Sequence, residues 1–171
     1  MSRGFVKEDD QEEAPFIPPR APLPDGVTNY VTPRGLELLH AERVALDNEL
    51  KELLRQEADS GSSKRLAVSE LEGRLALLNE RIVTARVVEQ TGVGNEVRFG
   101  STVTYRHIDG PQAGTERTFT IVGVDEADVK HGYIAFISPL AKALMGKRAG
   151  ELGELSLHGG KQRISIVVAN S

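Results

Sequence analysis

The chain has 171 residues, of which 39% are hydrophobic and only 5% aromatic, with no Trp and no Cys. That length holds one or two small domains with a modest core, and the lack of cysteine excludes a disulfide framework, thiolate chemistry and any metal site built on sulfur. Net charge is −4, and three cations against six acids in residues 1–26 account for −3 of it, so no general basic field remains to hold a nucleic-acid backbone, and direct sequence-reading DNA binding is disfavoured.

The chain opens "MSRGFVKEDDQEEAP", which lacks the apolar stretch of a signal peptide. No run approaches the roughly 18 apolar residues of a membrane span. A cytoplasmic protein is expected. Residues 1–28 carry an acidic cluster followed by "PFIPPRAPLPDG", which holds five of the eight prolines. Such a run favours an extended, polyproline-like arm over a packed element. It reads either as a disordered tail or as a docking arm for a basic or groove-shaped surface. Phe5, Val6, Phe16 and Ile17 are its apolar anchors.

Residues 29–90 begin with "NYVTPRGLELL", where Thr32 reads as a helix N-cap and Pro33 as the first helical residue. Leu36, Leu39, Leu46, Leu50 and Leu53 recur at compatible spacings, with Arg43 at an inner position, from which its charged end is expected to reach outward. Val68, Leu71, Leu75, Leu78, Ile82 and Ala85 form a second stripe. Both stripes are heptad seams, and the Ser/Gly stretch between them folds the pair into an antiparallel hairpin. A helix from Arg34 to Gln56 reaches about 35 Å at 1.5 Å per residue. The stretch "RQEADSGSSKRL", residues 55–66, becomes the tip, with Glu57 and Asp59 before the serines and Lys64 and Arg65 after them.

Residues 91–171 change character. "EVRFGSTVTYRHI", "ERTFTIVGV" and "GYIAFI" are rich in β-branched and aromatic residues and read as strands. "SPLAKALMGK" reads as a short helix, capped by Ser138, opened by Pro139 and stopped near Gly146. "LGELSL", a turn at "HGG" and "QRISIVVA" form a terminal hairpin. The expected product is an α+β chain: a helical coiled-coil hairpin followed by a small, mainly antiparallel sheet domain with one short helix. Phe99, Tyr105, Phe119, Tyr133 and Phe136 are its expected core aromatics.

Catalytic machinery is not legible. His40, His107, His131 and His158 are scattered without metal-ligand spacing. There is no nucleophile elbow, P-loop or dinucleotide fingerprint, and "LHGGKQR" lies between strands with no following helix to hold a phosphate. "DEADVK", residues 125–130, gathers three acids in one loop, either as a solvated turn or as a contact for a basic partner.

"NYVTPRGLELL", "FTIVGVDEAD", "ISPLAKALMGKRAGE" and "GGKQRISI" together resemble the Gre family of bacterial transcript-cleavage and elongation factors, from about Asn29 to the C-terminus. The resemblance implies a C-terminal domain similar to the FKBP fold that docks on RNA polymerase, and a coiled coil that enters the polymerase secondary channel. It carries over Asp125, Glu126, Ser138, Pro139, Leu140 and Ala141 as the polymerase contact. It implies no intrinsic cofactor. In the family, two acids at the coil tip help to hold a second Mg²⁺ of the polymerase, a two-metal arrangement for hydrolysing backtracked RNA. This tip departs from the pattern. Asp59 can stand for the first acid, but Ser62 occupies the second position and Lys64 and Arg65 follow. The reading is a monomeric, non-enzymatic polymerase-binding regulator that touches nascent RNA only indirectly and meets no membrane. The alternatives are a cleavage-competent factor using Glu57 and Asp59, a coiled-coil adaptor unrelated to polymerase, and a prolyl isomerase suggested by fold analogy alone.

Overall fold

A computed structural model of the chain describes residues 14–56, 61–89 and 94–170. After an extended segment the chain forms a two-residue strand β1 (Tyr30–Val31) and then helix α1 (Pro33–Arg55). Thr32 caps this helix as expected: its side-chain oxygen accepts from the Gly35 amide, and Pro33 opens the first turn without losing a needed donor. Helix α2 (Ser62–Thr84) returns, and strand β2 (Arg86–Val87) pairs in parallel with β1. This clasp ties the start of the first helix to the end of the second.

The two leucine stripes meet as the spacing predicts. Leu39, Leu46, Leu71, Leu75 and Leu78 are buried, with Leu36, Leu50, Leu53, Ile82 and Ala85 partly covered around them. Each fully buried leucine contributes about 1.5–3 kcal/mol relative to exposure. Arg43 is half-buried on the flank of the seam. Val31 joins the same cluster, so the leucine core continues from the coil into its base.

The second half is a five-stranded sheet. Its strands are β3 (Thr102–His107), β4 (Glu116–Val122), β5 (Tyr133–Ala135), β6 (Leu152–Leu157) and β7 (Gly160–Asn170), arranged in space as β5-β4-β3-β7-β6. Three pairings are antiparallel, and edge strand β5 runs parallel to β4. A single 3₁₀ turn (Val129–His131) makes that parallel return possible over a short connection. Helix α3 (Pro139–Leu144) covers one face, capped by Ser138 and followed by Gly146 at φ +77°. The inward residues alternate along the strands: Val103 and Tyr105, Phe119 and Ile121, Ile164 and Ile166, closed by Leu144 and Ala141.

Three expectations need correction. "EVRF" forms no strand; Glu96 makes only a single bridge to Arg148, because Phe99 and Gly100 turn the chain before a ladder can extend. Tyr133 is not a core aromatic. Its ring lies 4.5 Å beneath the Arg34 guanidinium, where a cation stabilises the exposed π-face. Tyr105, Phe119 and Phe136 are core residues, and Phe99 packs against them.

The third correction is the arm. Residues 14–28 are extended, but they lie against the body. Ala21, Leu23 and Val27 pack on the sheet-domain cluster, and Ile17 sits over Gly73 of α2. An extended proline-rich run has no periodic apolar face, so its packing depended on neighbours that composition could not reveal. Of its proposed anchors, Ile17 is half-buried and Phe16 is 77% exposed. Phe5 and Val6 lie outside the described residues.

Candidate functional site

The acidic loop after β4 joins the sheet domain to the arm and the coil. Asp125 and Glu126 are adjacent, and their carboxylates meet different parts of the chain at the junction: Asp125 the arm and α2, Glu126 the start of α1. Asp125 accepts from Arg20 Nε at 2.9 Å and lies 3.2 Å from Arg81 Nε. The second contact is within ion-pair range, although Asp125 Oδ2 makes no aligned hydrogen bond. Glu126 accepts from the Thr32 hydroxyl and from Arg34 Nη1 at 2.8 Å. The two side chains are only 8% and 3% exposed. Burying carboxylates is costly unless they are paired and hydrogen-bonded, and these are.

Arg20 extends the network. Its two Nη atoms donate to the two oxygens of Glu42 at 2.9 and 3.0 Å, a forked geometry that only a planar guanidinium supplies. That hydrogen bonding holds the Glu42 carboxyl below its ordinary value and raises Arg20. Arg81 Nη2 donates to the Ala21 carbonyl at 2.7 Å, and buried Asn29 donates to the Arg81 carbonyl at 2.8 Å. Sequence reasoning missed Arg20, Glu42 and Arg81. The available signal was a lone cation among prolines in a chain whose acidic loop needed a basic partner.

This placement turns the Asp125 and Glu126 carboxylates toward other parts of the same chain. The basic partner of the loop is the chain itself, because both carboxylates face inward. Ala141 is likewise 0% exposed, packed into the sheet-domain core. Of the remaining proposed contacts, Pro139 is exposed, Ser138 is half-exposed and spends its hydroxyl on the Ala141 amide, and Leu140 packs partly against the core. The accessible part of the loop lies further on. There Ala127, Asp128, Val129 and Lys130 are exposed, and Asp128 pairs with His131 at 2.7 Å. That pairing lowers the Asp128 carboxyl.

At the far end of the coil, α1 stops at Arg55, and Gln56 leaves the helix in an extended conformation. The second helix starts at Ser62 with Gly61 as its N-cap residue and no side-chain cap. The Lys64 ammonium donates to the Gln56 carbonyl across the turn, tying the two helix ends together. Arg65 is exposed beside it. Glu57 and Asp59 lie outside the described residues. The described tip offers hydroxyls, one amide and cationic side chains. Mg²⁺ favours carboxylate oxygens, and the acids of the tip that could supply them, Glu57 and Asp59, are not among these described residues.

His107 is buried in the sheet with its ring 5.2 Å from Tyr105, while His131 is exposed. Among the described residues no three His, Asp or Glu side chains come together in a metal-binding group, and no helix is long and apolar enough to cross a membrane.

Comparison with known proteins assigns the fold to a lineage. Residues 91–171 match the family "Transcription elongation factor, GreA/GreB, C-term". The transcription elongation factor GreA of Hyphomonas neptunium is 39% identical over 98 residues, which cover 57% of this chain and 60% of that protein. The match to GreA of Maricaulis maris is broader: 34% identity over 147 residues, covering 74% of this chain and 92% of the relative. GreA of Maridesulfovibrio salexigens is 34% identical over 149 residues, covering 80% and 91%. Among solved structures, the GreA/GreB factor of Nitrosomonas europaea is 22% identical, with a TM-score of 0.38 and coverage of 83% of this chain and 98% of that one. The matches to GreA proteins cover more of the chain than the C-terminal segment alone, and the chain belongs to the GreA/GreB family of transcription elongation factors.

Proposed function

We propose that the protein binds RNA polymerase through its C-terminal sheet domain, places the helical hairpin in the secondary channel and regulates elongation without stimulating transcript cleavage. It has no catalytic role of its own. Family membership supports polymerase as the partner. The observation that carries the non-cleaving part is the tip: Lys64 closes the turn onto the Gln56 carbonyl, and Arg65 stands next to it. Positive charge there opposes a second cation near the polymerase centre. A hairpin of this kind can still occupy the channel and compete with true cleavage factors.

The docking residues are Pro139 and Ser138 at the start of α3, with the exposed part of the neighbouring loop beside them. The decisive experiment combines two assays. Pull-down with core polymerase tests the partner, and RNA release from stalled, backtracked complexes tests cleavage. The expected result is binding, no short RNA released, and inhibition of an added cleavage factor that survives Glu57→Ala and Asp59→Ala. Release of short RNAs by the wild type, abolished by Asp59→Ala, overturns the non-cleaving reading.

A further inference from the structure

The junction between coil and sheet domain has two attachments. The first is a pivot at the base. Tyr30 meets Phe99 and Phe136 with ring centroids 6.0 and 5.8 Å apart, and Thr32 and Arg34 hold Glu126. These coil residues sit within the first turn of α1 or just before it, and Arg81, three residues from the end of α2, holds Asp125 at the same base. A pivot of this kind fixes position but resists rotation weakly, because its contacts lie close to one point.

The second attachment is made by residues 14–28, well up the coil. Arg20 reaches Glu42, ten residues beyond Thr32 and so about 15 Å along the helix axis. Ile17 sits over Gly73, eleven residues before the end of α2 and again about 16 Å from the base. The same segment returns to the sheet domain through Asp125 and through Ala21, Leu23 and Val27. Two attachments separated by this lever arm fix an angle that either alone would leave free. Gly73 is fitted to the segment: a Cβ there would stand 2.2 Å from Ile17 Cδ1.

We infer that residues 14–28 are an intramolecular strap that locks the helical hairpin at one angle to the sheet domain, with the Arg20 fork as its latch. Releasing the latch lets the hairpin swing about the Thr32–Glu126 pivot without unfolding either part. The strap thereby sets where the tip points, whatever the tip meets.

The chain's lack of cysteine makes the test clean. Two exposed positions away from the strap, Glu49→Cys on α1 and Ser156→Cys on β6, take spin labels in the full-length chain. Pulsed dipolar spectroscopy then reads the distance between hairpin and sheet domain. With the strap intact, one narrow distance population is expected. Arg20→Ala should add a second population or shift the first, and Arg20→Lys, which keeps the charge but not the fork, should restore the original distribution only in part. Gly73→Gln provides an independent release: glutamine favours a helix over glycine, yet its side chain fills the space of Ile17. Circular dichroism checks that this variant keeps its helices. The inference is overturned if the strapped protein already shows several distances. It is equally overturned if Arg20→Ala and Gly73→Gln both retain the single narrow distribution.

Discussion

Thr32 uses one hydroxyl twice. Its oxygen accepts from the Gly35 amide at 2.8 Å, and its proton goes to Glu126. Thr32→Val keeps the shape but removes both bonds, leaving a buried carboxylate with Arg34 as its remaining partner. A loss of about 1–3 kcal/mol is expected in urea unfolding. Gly35→Ala tests the same spot with an opposite prior. Alanine in a helix normally gains about 1 kcal/mol over glycine. Here its Cβ would stand 2.7 Å from Oε2 of Glu126, whose carboxylate is held at Oε2 by Thr32 and at Oε1 by Arg34 and cannot withdraw cheaply. The sign should therefore reverse, and Gly35→Ala should lower the melting temperature. Glu42 gives a pH signature. Its hydrogen bond to Arg20 depresses its folded pKa below the ordinary value of 4.5. The pair thus adds stability above that value and loses it as pH falls through the depressed folded one. Glu42→Gln should be less stable than wild type at neutral pH, and the gap in melting temperature should close on acidification through that window.

At the scale of elements, the sequence was legible wherever a period existed. The leucines of α1 and α2 repeat on one side, so both the hairpin and its buried seam follow from spacing alone. The caps at Thr32 and Ser138 were legible because proline follows each at the first helical position. The strap was not legible. Its prolines forbid helix and ladder alike, and its hold rests on Arg20 finding Glu42 and Asp125, which lie 22 and 105 residues away. For the same reason the loop at Asp125 looked like an outward acidic patch: the matching arginines come from three separate parts of the chain. The tip lay between these cases, since its serines announced a turn while its contacts, such as Lys64 with Gln56, required the folded hairpin. Lys64→Ala combined with Arg65→Ala should leave polymerase pull-down nearly unchanged, because affinity is assigned to the sheet domain. It should alter the effect on elongation rate in single-round transcription, because those charges are placed at the reaching end. An equal loss in both assays would place the main docking surface on the coil.

For the whole molecule, the strap decides whether hairpin and sheet domain behave as one unit. A two-helix hairpin has a thin core, and six leucine-stripe and base residues supply its fully buried part. Alone it would be marginal, since short helices depend on tertiary packing. The sheet domain has the larger core and does not need the hairpin to bury it. Removing residues 1–28 takes away the Arg20 fork, the Arg81 contact with the Ala21 carbonyl, and the partial burial of Ile17, Ala21, Leu23 and Val27. Each partly buried aliphatic side chain and each net hydrogen bond contributes about 1 kcal/mol before the entropy of ordering the segment is set against it. In a chain of this size each kcal/mol of net loss lowers the melting temperature by about 2–4 °C, so a measurable fall is expected. The fall should not be shared equally. Hydrogen exchange should accelerate in α1 and α2 while the amides of β3 and β7 remain protected, because the hairpin loses its brace and the sheet loses only a covering edge. If the truncated protein melts at the wild-type temperature with unchanged protection in both helices, the strap contributes nothing to the coupling, and the hairpin is held by its base alone.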